Sequence, residues 1–414
     1  MARESGPVPS LPASSDLVAR ISPLQALWSI LGLHTLGRGS AVPNAAAKSW
    51  FRSCLGAVHG HSGAVGFADA APEPGGDRGA RWRVPQTALT YASIVSLLCC
   101  GDDLEWLDAG AVSRGLAAAQ SPDGCVGPAA GVGGDIRFVY AALAAEHVLA
   151  CLERARAAAF ARRRERKVRA EGATAGEDQG AAAATAASLA APSAEEAAGG
   201  GRPGLDRAAA VRFVLSCQAH DGGFGLKPGL EAHGGATYCA VSALALAGAL
   251  PGPDRDAEVP TVSGRPLRLL VSWLSGRATP GGGFEGRPGR GADVCYGWWI
   301  GAALKTLLGC DADGLGDEGA DRASARLLSF TMAAQDLARG GFGKNASCGA
   351  DPLHSAYALA GIALCGSEEC GALGLSPTLP ATGVPSRVAS AYGVRDPRVD
   401  VDGVWAAYSG PDSH

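Results

Sequence analysis

Two kinds of apolar pattern alternate along the chain. In the first, apolar side chains occupy nearly every position around the helical turn, as in TYASIVSLL from Thr90, RFVYAALAAEHVL from Arg137, ATYCAVSALALAG from Ala236, DVCYGWWIGAALKTLLG from Asp293 and LHSAYALAGIAL from Leu353. A helix that is apolar nearly all round is buried on all sides. In the second kind, such as Leu267 to Leu274, the pattern is amphipathic, with one wet face. The alternation predicts an inner and an outer ring of helices. No sustained run of alternating β-branched residues marks a strand, and the small Ala, Gly and Ser residues favour close helix packing, so the fold class is all-α.

Each buried segment follows a glycine-rich turn: DGCVG at 123–127, DGGFG at 221–225, GGGFEG at 281–286, GGFG at 340–343 and, more weakly, GAVGF at 63–67. Phe224 and Phe284 are 60 residues apart and Phe284 and Phe342 are 58 apart, room for two helices and their connections. The repeating unit is an αα-hairpin. Glycine turns placed before the inner helices put free backbone N–H groups and positive dipole ends toward one mouth of a ring, where functional groups are expected to gather.

Of 414 residues, 47% are hydrophobic and 18% charged, which supplies a large core and argues against a solvated fibre. A net charge of −4 gives no global attraction to nucleic acid or to an anionic membrane, so any anion site is local. The opening MARESGPVPSLPASSDLVAR has charges and prolines where a signal peptide needs an apolar run, and Gly234 to Leu250 is diluted by small residues and closed by Pro251. Neither secretion nor a membrane span is indicated. The 12 cysteines lack the spacing of a disulfide framework and fit reduced thiols in a cytoplasmic protein. Residues 1–414 read as one domain, interrupted at 153–206 by a low-complexity insert and followed at 377–414 by an extension expected to pack in part as an extended cover. The insert opens with a basic helical stretch and continues as an Ala, Gly, Glu and Ser tract expected to be disordered. Its Arg and Lys run reads as a solvated helix, with binding of an acidic partner as the alternative.

Three ligand-type residues stand at equivalent places in consecutive repeats: Asp293 and Cys295 in GADVCYGWW, and His354 in DPLHSAYAL. Ligands at i and i+2 diverge on a regular helix, so they share a metal only where the chain enters the helix. One oxygen, one sulfur and one nitrogen with a fourth position open describe a catalytic zinc site, at which an incoming thiol would ionise near neutral pH. A second set consists of donors: His233, Arg287, Arg290, Tyr296 and Lys344. Forked and compact cations of this kind suit a diphosphate leaving group. Tyr238, Trp298 and Trp299 add aromatic surface on the same helices, so an apolar cavity under a phosphate site implies a lipid diphosphate.

The motifs EAHGGATYC, GRPGRGADVCYGWW, GGFGKNASCGADPLH and DIRFVYAA closely resemble the β subunits of protein prenyltransferases, over roughly residues 85–150 and 207–375. The resemblance implies an α/α toroid (α6–α6 barrel) of helical hairpins with an isoprenoid diphosphate in a central cavity. It also implies a helical α subunit as heterodimer partner and transfer of the lipid to a cysteine near a protein C-terminus. Carried over by position, Asp293, Cys295 and His354 fall on zinc ligands, and His233, Arg287, Arg290 and Tyr296 on the diphosphate-binding set. Arg290 stands where Lys is usual. Tyr238 and Trp299 are assigned to the isoprenoid and peptide cavity, and Arg137 matches an arginine that contacts the acceptor peptide.

Within the family, Lys344 resembles the lysine of type I geranylgeranyltransferases, where the farnesyl and Rab enzymes carry an aspartate tied to magnesium use. Leu353 likewise matches the type I enzyme, where the farnesyl enzyme has tyrosine. Both imply geranylgeranyl transfer from geranylgeranyl diphosphate, with one Zn2+, no Mg2+ requirement, and acceptors of small-GTPase type ending in CaaX with Leu last. The N-terminal match departs from this pattern: Leu24 and Trp28 stand where the type I enzyme has threonine and phenylalanine, and Trp28 is more like the farnesyl enzyme. The alternatives are a farnesyltransferase β subunit and a non-catalytic helical-repeat scaffold; a triterpene cyclase would need an acidic initiating motif, whereas Asp311 and Asp313 sit in a polar stretch.

Overall fold

Helix α1 (Pro23–Thr35) starts without a glycine turn. Ser22 accepts the Gln25 N–H, the Gln25 side chain accepts the Ser22 N–H, and Pro23 fills the first helical position, a capping box that needs no repeat signature. A computed structural model describes residues 22–58, 60–69, 84–174, 204–308, 317–365 and 373–399. After α1 come α2 (Asn44–Ser53), a two-stranded antiparallel ribbon of β1 (Leu55–Ala57) and β2 (Val65–Phe67), α3 (Thr87–Cys99) and α4 (Ala109–Ala118). Then follow α5 (Ile136–Thr174), α6 (Arg207–Ser216), α7 (Gly234–Leu246), α8 (Gly264–Ser275), α9 (Cys295–Leu308), α10 (Asp317–Ala333), α11 (Pro352–Leu364) and α12 (Ser386–Tyr392).

Helix α1 packs on α3, α3 on α5, α5 on α7, α7 on α9, α9 on α11, and α11 closes back on α1. These six form the inner ring. Outside it, α2 lies on α3, α4 on α5, α6 between α5 and α7, α8 on α9, and α10 on α11. The outer helices bury one face only: in α8, Leu267, Leu270, Val271 and Leu274 are buried at three- and four-residue spacing while Arg265 is exposed. The all-α α/α toroid inferred above is therefore the architecture, with α1 as a sixth inner helix that the glycine turns do not announce. The short β1–β2 ribbon is a departure from an all-helical reading; it sits at the weak GAVGF copy.

The glycine turns have a steric cause. Gly222 has φ +101, and a Cβ there would lie 2.3 Å from the Leu269 carbonyl oxygen of α8. Each turn also hooks onto the preceding repeat. The first free N–H of an inner helix donates to the following loop: Thr87 to Pro128 O at 2.9 Å, Ile136 to Leu226 O at 3.1 Å, Gly234 to Gly286 O at 2.8 Å and Val294 to Lys344 O at 3.0 Å. Four successive inner helices are thus aligned with their N-termini at one mouth.

The basic stretch after Cys151 is the continuation of α5, a single helix of 39 residues and not a separate element. The remainder of the 153–206 insert from 175 to 203, the opening 1–21, Asp311, Asp313 and residues 400–414 of the extension lie outside the described residues. From Ser376, which donates to Thr35 O at the end of α1, to Arg395, whose carbonyl accepts from His147, the chain closes the far end of the ring. Among the described residues no helix is long and apolar enough to cross a membrane, and ten cysteines are free, all buried except Cys348.

The one-sided burial of α8 sets a stability contrast. Leu270→Ala should cost about 2–5 kcal/mol in chemical denaturation, because Leu270 is fully buried, whereas Arg265→Ala should stay within about 0.5 kcal/mol.

Candidate active site

At the mouth where the inner helices begin, the side chains just before each helix accept its first N–H groups. Asp135 Oδ1 takes the Arg137 N–H at 3.0 Å, His233 Nδ1 takes Gly235 and Ala236 at 3.1 and 3.3 Å, Asp293 Oδ1 takes Cys295 at 3.0 Å, and Asp351 Oδ1 takes His354 at 2.9 Å. Capping thus fixes four polar side chains around the mouth.

Two of these caps build a donor cluster. Asp293, Cys295 and His354 hold their oxygen, sulfur and nitrogen atoms within 4.8 Å of one another, with His354 Nε2 3.5 Å from Asp293 Oδ1. The i and i+2 residues converge because Asp293 precedes α9 and Cys295 is its first residue. His354 Nδ1 lies 2.5 Å from Asp351 Oδ2, which fixes the ring and leaves Nε2 facing Asp293. Burial works against ionisation of Asp293, but hydrogen bonds from His354 and Cys295 outweigh it and hold its carboxyl below the usual range. The same carboxylate, with Asp351, raises His354, while burial and the Asp293 charge push the Cys295 thiol far up. A carboxylate, a thiol kept from ionising and an imidazole drawn toward protonation form a set short of positive charge. A mixed oxygen, sulfur and nitrogen set of this size fits a four-coordinate Zn2+ with one position open.

A third cap builds a donor surface beside it. Because His233 Nδ1 accepts two backbone N–H groups, its proton is on Nε2, which donates to the Tyr296 hydroxyl at 2.9 Å. The Tyr296 proton is then left to point outward. Burial, and next the Arg287 charge, lower the His233 pKa and keep it neutral; burial pushes the Tyr296 phenol up to about 12. Gly286 makes room for that ring, since a Cβ there would come within 2.1 Å of the Tyr296 side chain. Arg287 binds Glu231 Oε2 at 3.0 Å, and Arg290 stands exposed three residues on, its N–H on the Arg287 carbonyl. Lys344 Nζ is 3.9 Å from Asp293 Oδ2 and half-exposed, so it stands next to the metal-type cluster.

Behind the mouth lies a cavity of about 520 Å³, lined by Trp28, Arg137, Tyr238, Trp299, Leu353 and Tyr357 among others. Trp299 is 4.2 Å from Tyr357 and 5.0 Å from Tyr238, ring centre to ring centre, and Trp28 Nε1 donates to the Tyr357 hydroxyl at 3.3 Å. Trp298, buried beside them, also lines the cavity. Arg137 is held at the rim by both oxygens of Asp135, at 2.9 and 2.7 Å. The structure thus gathers Asp293, Cys295, His354 and Lys344 in one place, pairs His233 with Tyr296, and lines the cavity with Arg137, Tyr238, Trp299 and Leu353. It leaves Arg290 on the exposed loop. Asp351 and Tyr357 escaped the sequence reading; the Asp-Pro-x-His order at a helix start is the signal for Asp351.

The chain matches the prenyltransferase alpha-alpha toroid domain over residues 8–384. Against the geranylgeranyl transferase type-1 subunit beta of Arabidopsis thaliana it is 41% identical over 182 residues, 44% of each chain. Against the type-2 subunit beta of Saccharomyces cerevisiae it is 32% identical over 183 residues, 44% of this chain and 49% of that one. A protein farnesyltransferase subunit beta of Pisum sativum is 37% identical over 95 residues, 23% of this chain and 20% of that one. The chain therefore spans less than half the length of these curated relatives. Its fold is similar to that of Candida albicans protein geranylgeranyltransferase-I complexed with GGPP, with a TM-score of 0.63 over 92% of this chain and 93% of that one at 16% identity.

Two outcomes are expected at this site. In a zinc titration of the full chain, Asp351→Asn should weaken binding about 10–100-fold while helix content holds, since Asn still caps α11 but turns an N–H toward His354 Nδ1. His233, lowered from its ordinary 6.5, protonates more readily in the unfolded chain, so its contribution is present above pH 6.5 and lost as pH falls below it. His233→Asn keeps the cap without titrating; subtracting its stability profile from that of the unsubstituted chain should leave a difference that appears only below about pH 6.5.

Proposed function

Because the chain belongs to the prenyltransferase alpha-alpha toroid family, we propose that it is the catalytic β subunit of a type I protein geranylgeranyltransferase. Its reaction is transfer of geranylgeranyl from geranylgeranyl diphosphate to the cysteine of a CaaX C-terminus. The observation that carries this reading is the adjacency of the Asp293–Cys295–His354 cluster, the Lys344 ammonium 3.9 Å from Asp293 and an aromatic-walled cavity. Type I over farnesyl transfer rests on Lys344 and Leu353. A cytoplasmic heterodimer with an α subunit, acting without Mg2+ on proteins of small-GTPase type, completes the reading.

Asp293, Cys295 and His354 would hold Zn2+, which when bound would lower the pKa of the acceptor thiol. The acceptor sulfur attacks C1 of the prenyl chain as the C1–O bond breaks, and inorganic diphosphate leaves. Negative charge grows on the diphosphate. Tyr296, oriented by neutral His233, donates its free proton toward it, and Arg287 and Arg290 offer forked donors at the rim. Lys344 supplies the fixed charge that magnesium would otherwise bring. The aromatic wall of Tyr238, Trp299 and Tyr357 holds the lipid and excludes water, while Arg137 at the rim faces the acceptor peptide.

A farnesyltransferase β subunit is the second reading, favoured by one observation: Trp28 projects to the cavity wall and is tied to Tyr357. Large side chains there shorten the space for a longer lipid, a modest discrimination per group. Single-turnover transfer to a cysteine peptide ending in Leu, with α subunit supplied, separates them: magnesium-independent geranylgeranyl transfer supports type I, and farnesyl preference with magnesium stimulation supports the other. Lys344→Ala should lower that chemical step roughly 100-fold, and Lys344→Asp should recover part of it only when magnesium is added. An unchanged rate in both variants would remove Lys344 from the leaving-group site.

A further inference from the structure

Helix α5 does not stop where the ring does. Arg137 is at the cavity rim, and at a rise of 1.5 Å per residue Val168 lies about 45 Å farther along the axis. Over residues 155–169 this projecting arm carries seven cationic side chains, Arg156, Arg162, Arg163, Arg164, Arg166, Lys167 and Arg169, against one acidic residue, Glu165. The whole chain has a net charge of −4, so the arm is a local concentration of opposite sign. Its root is fixed: Arg156 donates to the Asp103 carbonyl, and Arg154 borders a recess of about 540 Å³ shared with Arg207, Arg395, Asp254 and Asp256.

Beyond the root the arm exposes apolar side chains among the cations. Phe160 is 70% exposed and Val168 57%. With Arg164 between them they stand at i, i+4 and i+8, one row along the helix, and Ala157 and Ala161 widen that row. Arg163 and Lys167 flank it on one side. A soluble acidic segment would be served by the charges alone, and a nucleic acid strand could stack a base on the phenyl ring but has no use for the exposed valine two turns on. A bilayer with anionic headgroups uses both: the ring and the valine enter the boundary with the acyl chains, while the arginine stems lie along it with their guanidinium groups among phosphates.

We propose that the arm at 155–169 is a docking surface for an anionic phospholipid bilayer. It is independent of the reading of the candidate active site, which lies at the other end of the ring, and its test does not use activity. The full chain is floated with vesicles of mixed phosphatidylserine and phosphatidylcholine, and with vesicles of phosphatidylcholine alone. Expected are binding to the mixed vesicles only, weakening with added salt, and a loss of at least about tenfold on replacing Arg162, Arg163, Arg164 and Arg166 together by Gln. Phe160→Ser, with every charge intact, should lose binding several-fold. These positions are exposed or half-exposed, and unchanged circular dichroism and thermal unfolding will show that the variants are folded. Equal binding to both vesicle types, or retention by the fourfold Gln variant, would overturn the proposal. So would indifference to Phe160→Ser together with equally tight capture by heparin, which would assign the arm to a soluble polyanion.

Discussion

Everything at the mouth depends on where the first N–H groups of the inner helices go. A helix leaves its opening N–H groups without internal partners, and burying such an end is costly unless something accepts them. Here one N–H at the start of each of α3, α5, α7 and α9 is given to a carbonyl in the following loop, and those next along α5, α7 and α9 to Asp135, His233 and Asp293. The first arrangement stitches repeat to repeat. The second forces a polar side chain to stand beside each helix entrance, on the ring's inner rim. A site rich in carboxylate and imidazole is thus a by-product of capping, and chemistry requires only that some caps face one another.

Charge decides how those caps are used. Asp293 is shared among the Cys295 N–H, the His354 ring and the Lys344 ammonium, so it joins the cluster that suits a cation to the surface that suits an anion. Spread apart in a cavity of low polarity, each charge would be left without compensation for its lost hydration; packed together they screen one another. His233 shows the same economy in a single ring, since Nδ1 caps α7 and Nε2 orients Tyr296.

The ring, its all-α class and most of the donor residues were legible in the sequence because their signals are short-range. A glycine turn, an all-apolar helix and residues at one phase of a repeat need no knowledge of distant contacts. Helix α1 lacks that signature, and its capping box says where a helix begins but not that it closes a ring. Asp351 was passed over because an aspartate before proline reads as turn chemistry, and only its 2.5 Å approach to His354 Nδ1 reveals the second task. The basic stretch is legible as helix, but no local signal shows that it continues the inner helix α5 without a break. Arg290 shows the limit in the other direction, since its place in the motif fixes its loop and leaves the guanidinium's partners open.

The floor of the cavity follows from proton counting that no local pattern displays. Tyr91 and Tyr238 donate to the carbonyls of Thr382 and Pro380 at 2.8 and 2.9 Å, and both phenol oxygens also face the Tyr140 hydroxyl, at 3.2 and 3.1 Å. Three protons serve four oxygen contacts, so Tyr140 can complete only one of its two. The arrangement persists because Asp396 also holds this strap, accepting the N–H groups of Ala381 and Thr382 at 2.7 and 2.9 Å. Tyrosines from α3, α5 and α7 thereby grip a segment more than a hundred residues downstream of the nearest of them, and Gly383 of that segment lines the cavity. The depth of the cavity is accordingly set by how the C-terminal strap seats in the ring as well as by any single wall residue, and a change at Tyr140 would reach the cavity through the strap.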